Sequence, residues 1–178
     1  MDIRTITIRP TIFEDCKLFA KWEKDFAVTE FFSMNSDRCY EDILREFFTR
    51  EVDDTKLQYT ICIEEDIPIG RVYISKIDLE SDSLDITRIY IADKDNRGKG
   101  YGEAALRMVL DYCFMNLHME RVTLDHFEGN NSAAALYNKL GFKHEGLARN
   151  ACKKDGKYFD LHLLSLLRSE YYGKIHDK

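Results

Sequence analysis

Proline occurs only twice in the 178 residues, at Pro10 and Pro68, and tryptophan once, at Trp22. With no Pro-rich or Ser/Gly-rich linker and no internal repeat, residues 1–178 read as a single domain, long enough to bury a core of its own. Long apolar runs are also missing. The longest, Leu161 to Leu167, is far short of the ~20 residues needed to cross a bilayer. The opening Met-Asp-Ile-Arg lacks the apolar core of a signal peptide, so the expectation is a soluble cytoplasmic protein with no membrane partner. Positive charge is in deficit: 26 Lys and Arg stand against 32 Asp and Glu, a net charge of −6. That balance argues against a nucleic-acid partner.

Cysteine is present but unpatterned. Cys16, Cys39, Cys62, Cys113 and Cys152 are odd in number, dispersed and form no C-x-x-C pair, which points to reduced core thiols. The histidines (118, 126, 144, 162 and 176) show no metal-ligand spacing, so no metal is expected.

What is there begins with a loop. Ile89 to Gly102 reads Ile-Tyr-Ile-Ala-Asp-Lys-Asp-Asn-Arg-Gly-Lys-Gly-Tyr-Gly, and three of the nine glycines fall at positions 98, 100 and 102. An apolar strand runs into a polar turn, and a helical pattern follows at once. Glycine lets the backbone turn sharply and come close to a ligand, and N–H groups converging at a helix N-terminus bind anions, phosphate above all. Arg97 and Lys99 add positive charge. The charge is also uneven along the chain. Residues 1–93 hold 21 acidic against 12 basic residues, a balance of −9, whereas residues 94–178 hold 11 against 14, a balance of +3. The acidic half could steer a cationic partner, or its charges could simply be solvated.

In order, the pattern predicts a strand over residues 2–9 and a helix opened by a Thr11/Glu14 capping box, with Phe13, Cys16 or Lys17, Phe19, Ala20 and Phe26 on its apolar face. A second helix spans about residues 37–51. Strands follow near 58–64, 68–77 and 84–91, joined by turns at Glu65-Asp66 and residues 78–83. After the glycine loop come a helix to about Asn116, a strand over 121–127, a helix from Asn130 to Leu140 stopped by Gly141, and strands near 142–152 and 157–167. The fold class is therefore α/β (α+β), a mixed and mostly antiparallel sheet of about seven strands flanked by about four helices.

Gly100-Tyr101-Gly102-Glu103-Ala104-Ala105 matches the G-x-G-x-x-A form of the dinucleotide fingerprint, with Asp125 at the end of the next strand. Two features oppose that reading. Six residues, Asp93 to Gly98, separate strand from fingerprint, and only 53 residues follow Asp125, too few for the further βαβ units. A Walker loop is excluded because no Gly-Lys-Ser/Thr occurs.

Arg97-Gly98-Lys99-Gly100-Tyr101-Gly102 instead resembles the R-x-x-G-x-G acetyl-CoA signature of the GNAT superfamily of N-acyltransferases. Asn130 to Phe142 is similar to that family's N-x-x-A-x-x-x-Y-x-K-x-G-F. Arg9-Pro10 with Glu14-Asp15, Glu145-Gly146 with Arg149, and Asp155 to Asp160 extend the match over nearly the whole chain. The resemblance implies the GNAT fold and direct transfer of an acetyl group from acetyl-CoA to a primary amine, with no acyl-enzyme. It places the pantetheine arm on Ile89, Tyr90 and Ile91, the pyrophosphate on Arg97, Gly98, Lys99, Gly100, Tyr101 and Gly102, and further cofactor contacts on Asn130 and Lys139. Tyr137 would protonate the departing thiolate or else pack in the core. Asn130 would also cap its helix, and Lys139 could equally be solvated. Asp85 is the candidate base, with a solvated strand-start acid as its alternative. Glu14, Glu30 and Glu41 could line the acceptor site. The closest pattern is the polyamine (spermidine/spermine) branch. Ribosomal-protein-type N-terminal or aminoglycoside acetylation, and a non-catalytic acyl-CoA binder, are the alternatives. A homodimer is a family expectation only.

Overall fold

Alternation of apolar residues builds the strands and helical spacing the helices, in the order β1 (Ile6–Pro10), α1 (Asp15–Trp22), α2 (Phe26–Thr29), α3 (Tyr40–Arg50), β2 (Leu57–Ile63), β3 (Ile67–Asp78), β4 (Ser83–Ile91), α4 (Tyr101–Asp111), β5 (Arg121–Phe127), α5 (Asn131–Leu140), β6 (Lys143–Lys154), β7 (Lys157–Leu167) and α6 (Arg168–His176). This computed structural model describes residues 6–64 and 66–176. Residues 2–5 of the expected first strand and Glu65 of the expected turn lie outside the described residues. The seven strands form one sheet in the order β1-β2-β3-β4-β5-β7-β6. Every neighbouring pair is antiparallel except β4 and β5, which run parallel and are joined through α4.

One face of the sheet carries the main apolar core. Ile61, Val72, Ile74, Leu84, Ile86, Val122, Leu124 and Leu166 pack there against Ala105, Leu106, Val109 and Leu110 of α4 and Tyr137 and Leu140 of α5. The other face carries α1 and α3, whose Cys16, Phe19, Ile43 and Phe47 make a smaller core.

Between that second core and the sheet lies a buried ionic cluster. Arg71, wholly buried on β3, donates to Glu23 (2.6 Å), Glu46 (2.9 Å) and Gln58 (3.0 Å). Arg38 donates to Glu23 at 2.8 Å, Arg88 reaches Glu23 at 3.4 Å, and the Tyr90 hydroxyl donates to Glu23 at 3.1 Å. Three guanidiniums thus meet two carboxylates. The surplus positive charge rests on aromatic faces, with the Arg71 guanidinium 4.6 Å from the Phe19 ring centre.

The structure corrects three details of the sequence reading. Two further helices exist. α2 is a single turn capped by the Asp25 carboxylate on the Ala27 N–H, too short to leave a periodic pattern. α6 has no apolar stripe and is held by Tyr171 stacking on Phe114 at 4.7 Å. Second, no Thr11/Glu14 capping box forms. Thr11 is buried, its hydroxyl against that of Thr60, and Asp15 is the residue that accepts the Ile12 N–H (3.0 Å) while pairing with Arg9 (2.7 Å). The helix consequently starts at Asp15. Third, Phe13 and Phe26 fall outside α1 and are exposed, so Cys16 and Phe19, with Ala20 packed beside them, carry its apolar face.

Removing one member of a buried ionic cluster strands the others. Arg71→Met should lower the unfolding free energy by about 3–5 kcal/mol in urea denaturation. Burial alone would raise the Glu46 carboxyl, but Arg88, Arg71 and Arg38 together bring it down from 4.5 to about 2. Its contribution is therefore full above about pH 4.5 and lost as pH falls towards 2. Glu46→Gln should flatten the pH dependence of stability across that window.

Candidate active site

The site is made by a fault in the sheet. Along β4, Tyr73 pairs with Arg88 and Ile74 with Ile86, so Thr87 has no register partner on β3 and forms a β-bulge. The extra residue shifts the alternation by one. Leu84 and Ile86 before it, and Ile89 and Ile91 after it, all face the α4 side, while Arg88 and Tyr90 turn to the ionic cluster. A bulge also bends its strand and increases its twist. β4 and β5 pair only at Ser83↔Arg121, Leu84↔Val122 and Asp85↔Thr123. Beyond Asp85 they separate, and a cleft of about 490 Å³ opens between them.

Ile86 to Ile91 line one wall of this cleft and Asp125, His126 and Phe127 the other. Asn130, Ala133, Leu136 and Tyr137 of α5 form its floor, and residues 27–28 and 30–33, around the end of α2, its outer wall. At one end stands the glycine loop. Gly98 (φ 71°) and Gly100 (φ 85°) adopt left-handed backbone that a β-carbon would strain, and Gly100 is the N-cap of α4. The first N–H groups of α4 have no helical acceptor and carry the positive end of its dipole.

Several expected residues take up a definite use. The Arg97 guanidinium donates to the carbonyls of Ile91 (2.9 Å), Ala27 (2.9 Å) and Ala92 (2.8 Å). Three of its five donors are thus committed to shaping the loop and tying it to α2. The Ile91 carbonyl is occupied by the same contact. Lys99 is exposed, and the Tyr101 ring is buried in the main core, which leaves only its backbone for a ligand. Asn130 caps α5, its oxygen accepting the Ala133 N–H at 3.2 Å, while its nitrogen has no hydrogen bond among the described residues. Lys139 pairs with Glu103 at 2.6 Å, joining α5 to the first turn of α4.

Tyr137 lies in the cleft, packed 6.1 Å from the His126 ring and 5.9 Å from Phe142. Burial, then the charge of Asp125, holds its phenol well above the ordinary value, so it keeps its proton at neutral pH. Asp85 does not fit the part of a base. It sits at the apex beneath the cleft, 8% exposed, with one carboxylate oxygen accepting from Thr87 (2.9 Å) and the other from Thr123 (2.9 Å), and it does not line the cavity. A carboxylate that does is Asp125. Desolvation by the cleft walls, then the charge of Asp85, pushes it up to about 6, with Lys76 opposing. Of Glu14, Glu30 and Glu41, only Glu30 lines the cavity. Asp125 entered the sequence reading only as the acid of the opposed dinucleotide fingerprint, and His126 carries no motif. The signal available for them was the position alone, at the open end of the strand before Asn130.

The outer wall is fastened from a distance. The Lys154 ammonium, at the tip of the β6–β7 hairpin, donates to the carbonyls of Thr29 (2.5 Å) and Glu30 (3.2 Å) at the end of α2. The neighbouring Asp155 accepts from the Ser36 N–H at 3.0 Å.

Residues 5–143 match the acetyltransferase (GNAT) domain family. The chain belongs to that family. This GNAT acetyltransferase is 27% identical over 172 residues to the uncharacterised N-acetyltransferase p20 of Bacillus licheniformis, covering 94% of this chain and 96% of that one. It is 26% identical over 134 residues to the spermidine N(1)-acetyltransferase of Vibrio cholerae, covering 75% and 76%. Its fold superposes with a TM-score of 0.84 on the crystal structure of spermidine N-acetyltransferase from Vibrio cholerae in complex with CoA and spermine, at 21% identity over 94% of this chain and 98% of that one. Among the described residues no helix is long and apolar enough to cross a membrane, and no group of three or more His, Cys, Asp or Glu is placed to hold a metal ion.

A β-branched side chain at Gly100 cannot adopt φ 85° without strain. Gly100→Val should weaken CoA binding about tenfold or more in calorimetry while leaving the melting temperature of the free protein within a few degrees, at roughly 1–2 kcal/mol of backbone strain.

Proposed function

We propose that this GNAT enzyme transfers the acetyl group of acetyl-CoA directly to a small cationic amine, with a polyamine as the best-fitting acceptor. The observation that carries the reading is the cleft itself. It joins a free strand edge, a glycine-capped helix N-terminus and a buried, protonated tyrosine in one continuous cavity. The pantetheine arm lies along the unpaired edge of β4 and bonds it as an added strand would. The pyrophosphate rests on the N–H groups from Gly98 to Gly102, with Lys99 beside them, and the Asn130 amide is free to donate to the arm. Arg97 contributes by holding the loop in shape. The thioester then lies beside Tyr137, whose hydroxyl donates a proton to the departing thiolate.

The acceptor enters past Glu30 and Asp125. Two carboxylates in a partly desolvated cleft suit a substrate with more than one positive charge. The resemblance to a spermidine N(1)-acetyltransferase supports the same class. Asp85, locked between two threonines, acts by its charge on Asp125.

The direct test is CoA release from acetyl-CoA across spermidine, spermine, diamines, aminoglycosides and peptides with free N-termini. Turnover with polyamines above the others is expected. Binding of acetyl-CoA without turnover of any amine would overturn the reading. Tyr137→Phe should lower kcat by about 10²-fold with little change in the KM for acetyl-CoA. Asp125 is charged only above about pH 6, so the KM for the polyamine should rise as pH falls through that value. Asp125→Asn should raise KM at neutral pH and abolish this dependence.

A further inference from the structure

Three histidines stand side by side on three adjacent strands. His126 of β5 faces His162 of β7 in direct register, and their rings stack at 4.9 Å. His162 Nδ1 lies 3.0 Å from His144 Nε2 on β6. Exposure rises along the row. His126 is buried in the cleft wall, 6.1 Å from the Tyr137 ring, His162 is half-buried, and His144 is open to solvent. The row therefore runs from the cavity to the outside, across the strands at the far side of the sheet.

The hydrogen bonds fix the tautomer at its inner end. His126 Nδ1 is 2.9 Å from the Phe127 carbonyl oxygen. A carbonyl only accepts, so Nδ1 carries the proton and the neutral ring presents a lone pair at Nε2. Nε2 has no hydrogen-bond partner among the described residues. At the outer end, a bond between two ring nitrogens needs one N–H and one lone pair. The His162–His144 pair can accept one extra proton and keep that bond, but not two. The titratable groups around His126 are Asp125 on its own strand, Tyr137 from α5 and His162 from β7. Asp85 of β4 and Lys76 of β3 lie beyond Asp125.

We propose that His126 takes the proton from the acceptor's ammonium group and gives it up to solvent through the cleft, with the stacked His162–His144 pair setting how readily it does so. This rests on the acetyl-transfer reading. An alkylamine with a pKa of about 10.4 enters as R-NH3+. One proton goes to His126 Nε2 and from there to solvent in the open cleft. The neutral nitrogen attacks the thioester carbon, and the carbon–sulfur bond breaks. Tyr137 gives its proton to the thiolate and regains one from the nitrogen of the adduct. The products are the N-acetylamine, CoA as its thiol, and one proton in solution, so charge and atoms balance.

The test is the pH dependence of kcat at saturating acetyl-CoA. In the unaltered enzyme the rate levels off once His126 is neutral. His126→Asn keeps a donor for the Phe127 carbonyl but has no second ring nitrogen. It should be slower by about 10²-fold, and its rate should climb about tenfold per pH unit with the supply of neutral amine. Added imidazole should restore part of the rate, and calorimetry should find CoA affinity unchanged. His144→Gln should slow kcat a few-fold at unchanged CoA affinity. Ring-nitrogen NMR of the free protein should place the His126 proton on Nδ1 and show its titration shifted in His144→Gln. An unaltered pH profile in His126→Asn, or the proton on Nε2, would overturn the proposal. A His144→Gln protein unchanged in both rate and titration would overturn the part given to the His162–His144 pair. The NMR outcome needs no substrate, so it separates failure of this inference from failure of the acetyl-transfer reading.

Discussion

β4 carries one residue more than β3 can pair, and the surplus at Thr87 decides which side chains face which layer. Without it, Arg88 and Tyr90 would point at the apolar core under α4, and Ile89 and Ile91 at the charged one. With it, each half of the strand serves the layer that suits it, and β4 leaves β5 after Asp85. Hydrogen-bonding groups at the edge of an interior strand are thereby left open in the middle of a sheet. An edge of that kind is normally a hazard, since it invites another strand. Here α5, α2 and the glycine loop close around it, so that only a slender ligand fits.

The face that receives Arg88 and Tyr90 explains why so much charge is buried. Glu23 at the end of α1 and Glu46 on α3 meet arginines from β3, β4 and the segment before α3. An apolar layer would pack these helices in several positions of similar energy. Paired charges accept few geometries, because each misplacement leaves a desolvated ion unpaired. The cluster therefore fixes α1 and α3 relative to Tyr90, and through Tyr90 relative to the cleft. Arg97 repeats the device with carbonyls, linking the loop after β4 to Ala27 of α2.

Much of this was legible in the sequence, and for local reasons. β2 to β7, α3, α4 and α5 follow from alternation, helical spacing and the glycines that end elements. The glycine loop and Asn130–Phe142 are contiguous, so their residues announce each other. Even the bulge leaves a trace, since Leu84 and Ile86 are spaced by two, Ile86 and Ile89 by three, and Ile89 and Ile91 by two again. What was hidden depends on neighbours distant in sequence. Asp85 looked like a base until Thr87 and Thr123 enclosed it. Arg97 looked like a phosphate ligand until Ala27 met it from 70 residues away. The histidine row needs the register of β5, β7 and β6, which no spacing along the chain encodes.

The fastening of α2 by Lys154 and Asp155 has a consequence for how the enzyme comes into being. A chain leaves the ribosome N-terminus first. The glycine loop and Tyr137 have been made once α5 has emerged, but the wall bearing Glu30 is secured only when the final hairpin has paired. During synthesis one end of the cleft thus precedes its outer wall. The nascent protein passes through a stage in which the loop and Tyr137 are present while the segment around Glu30 is still unfastened.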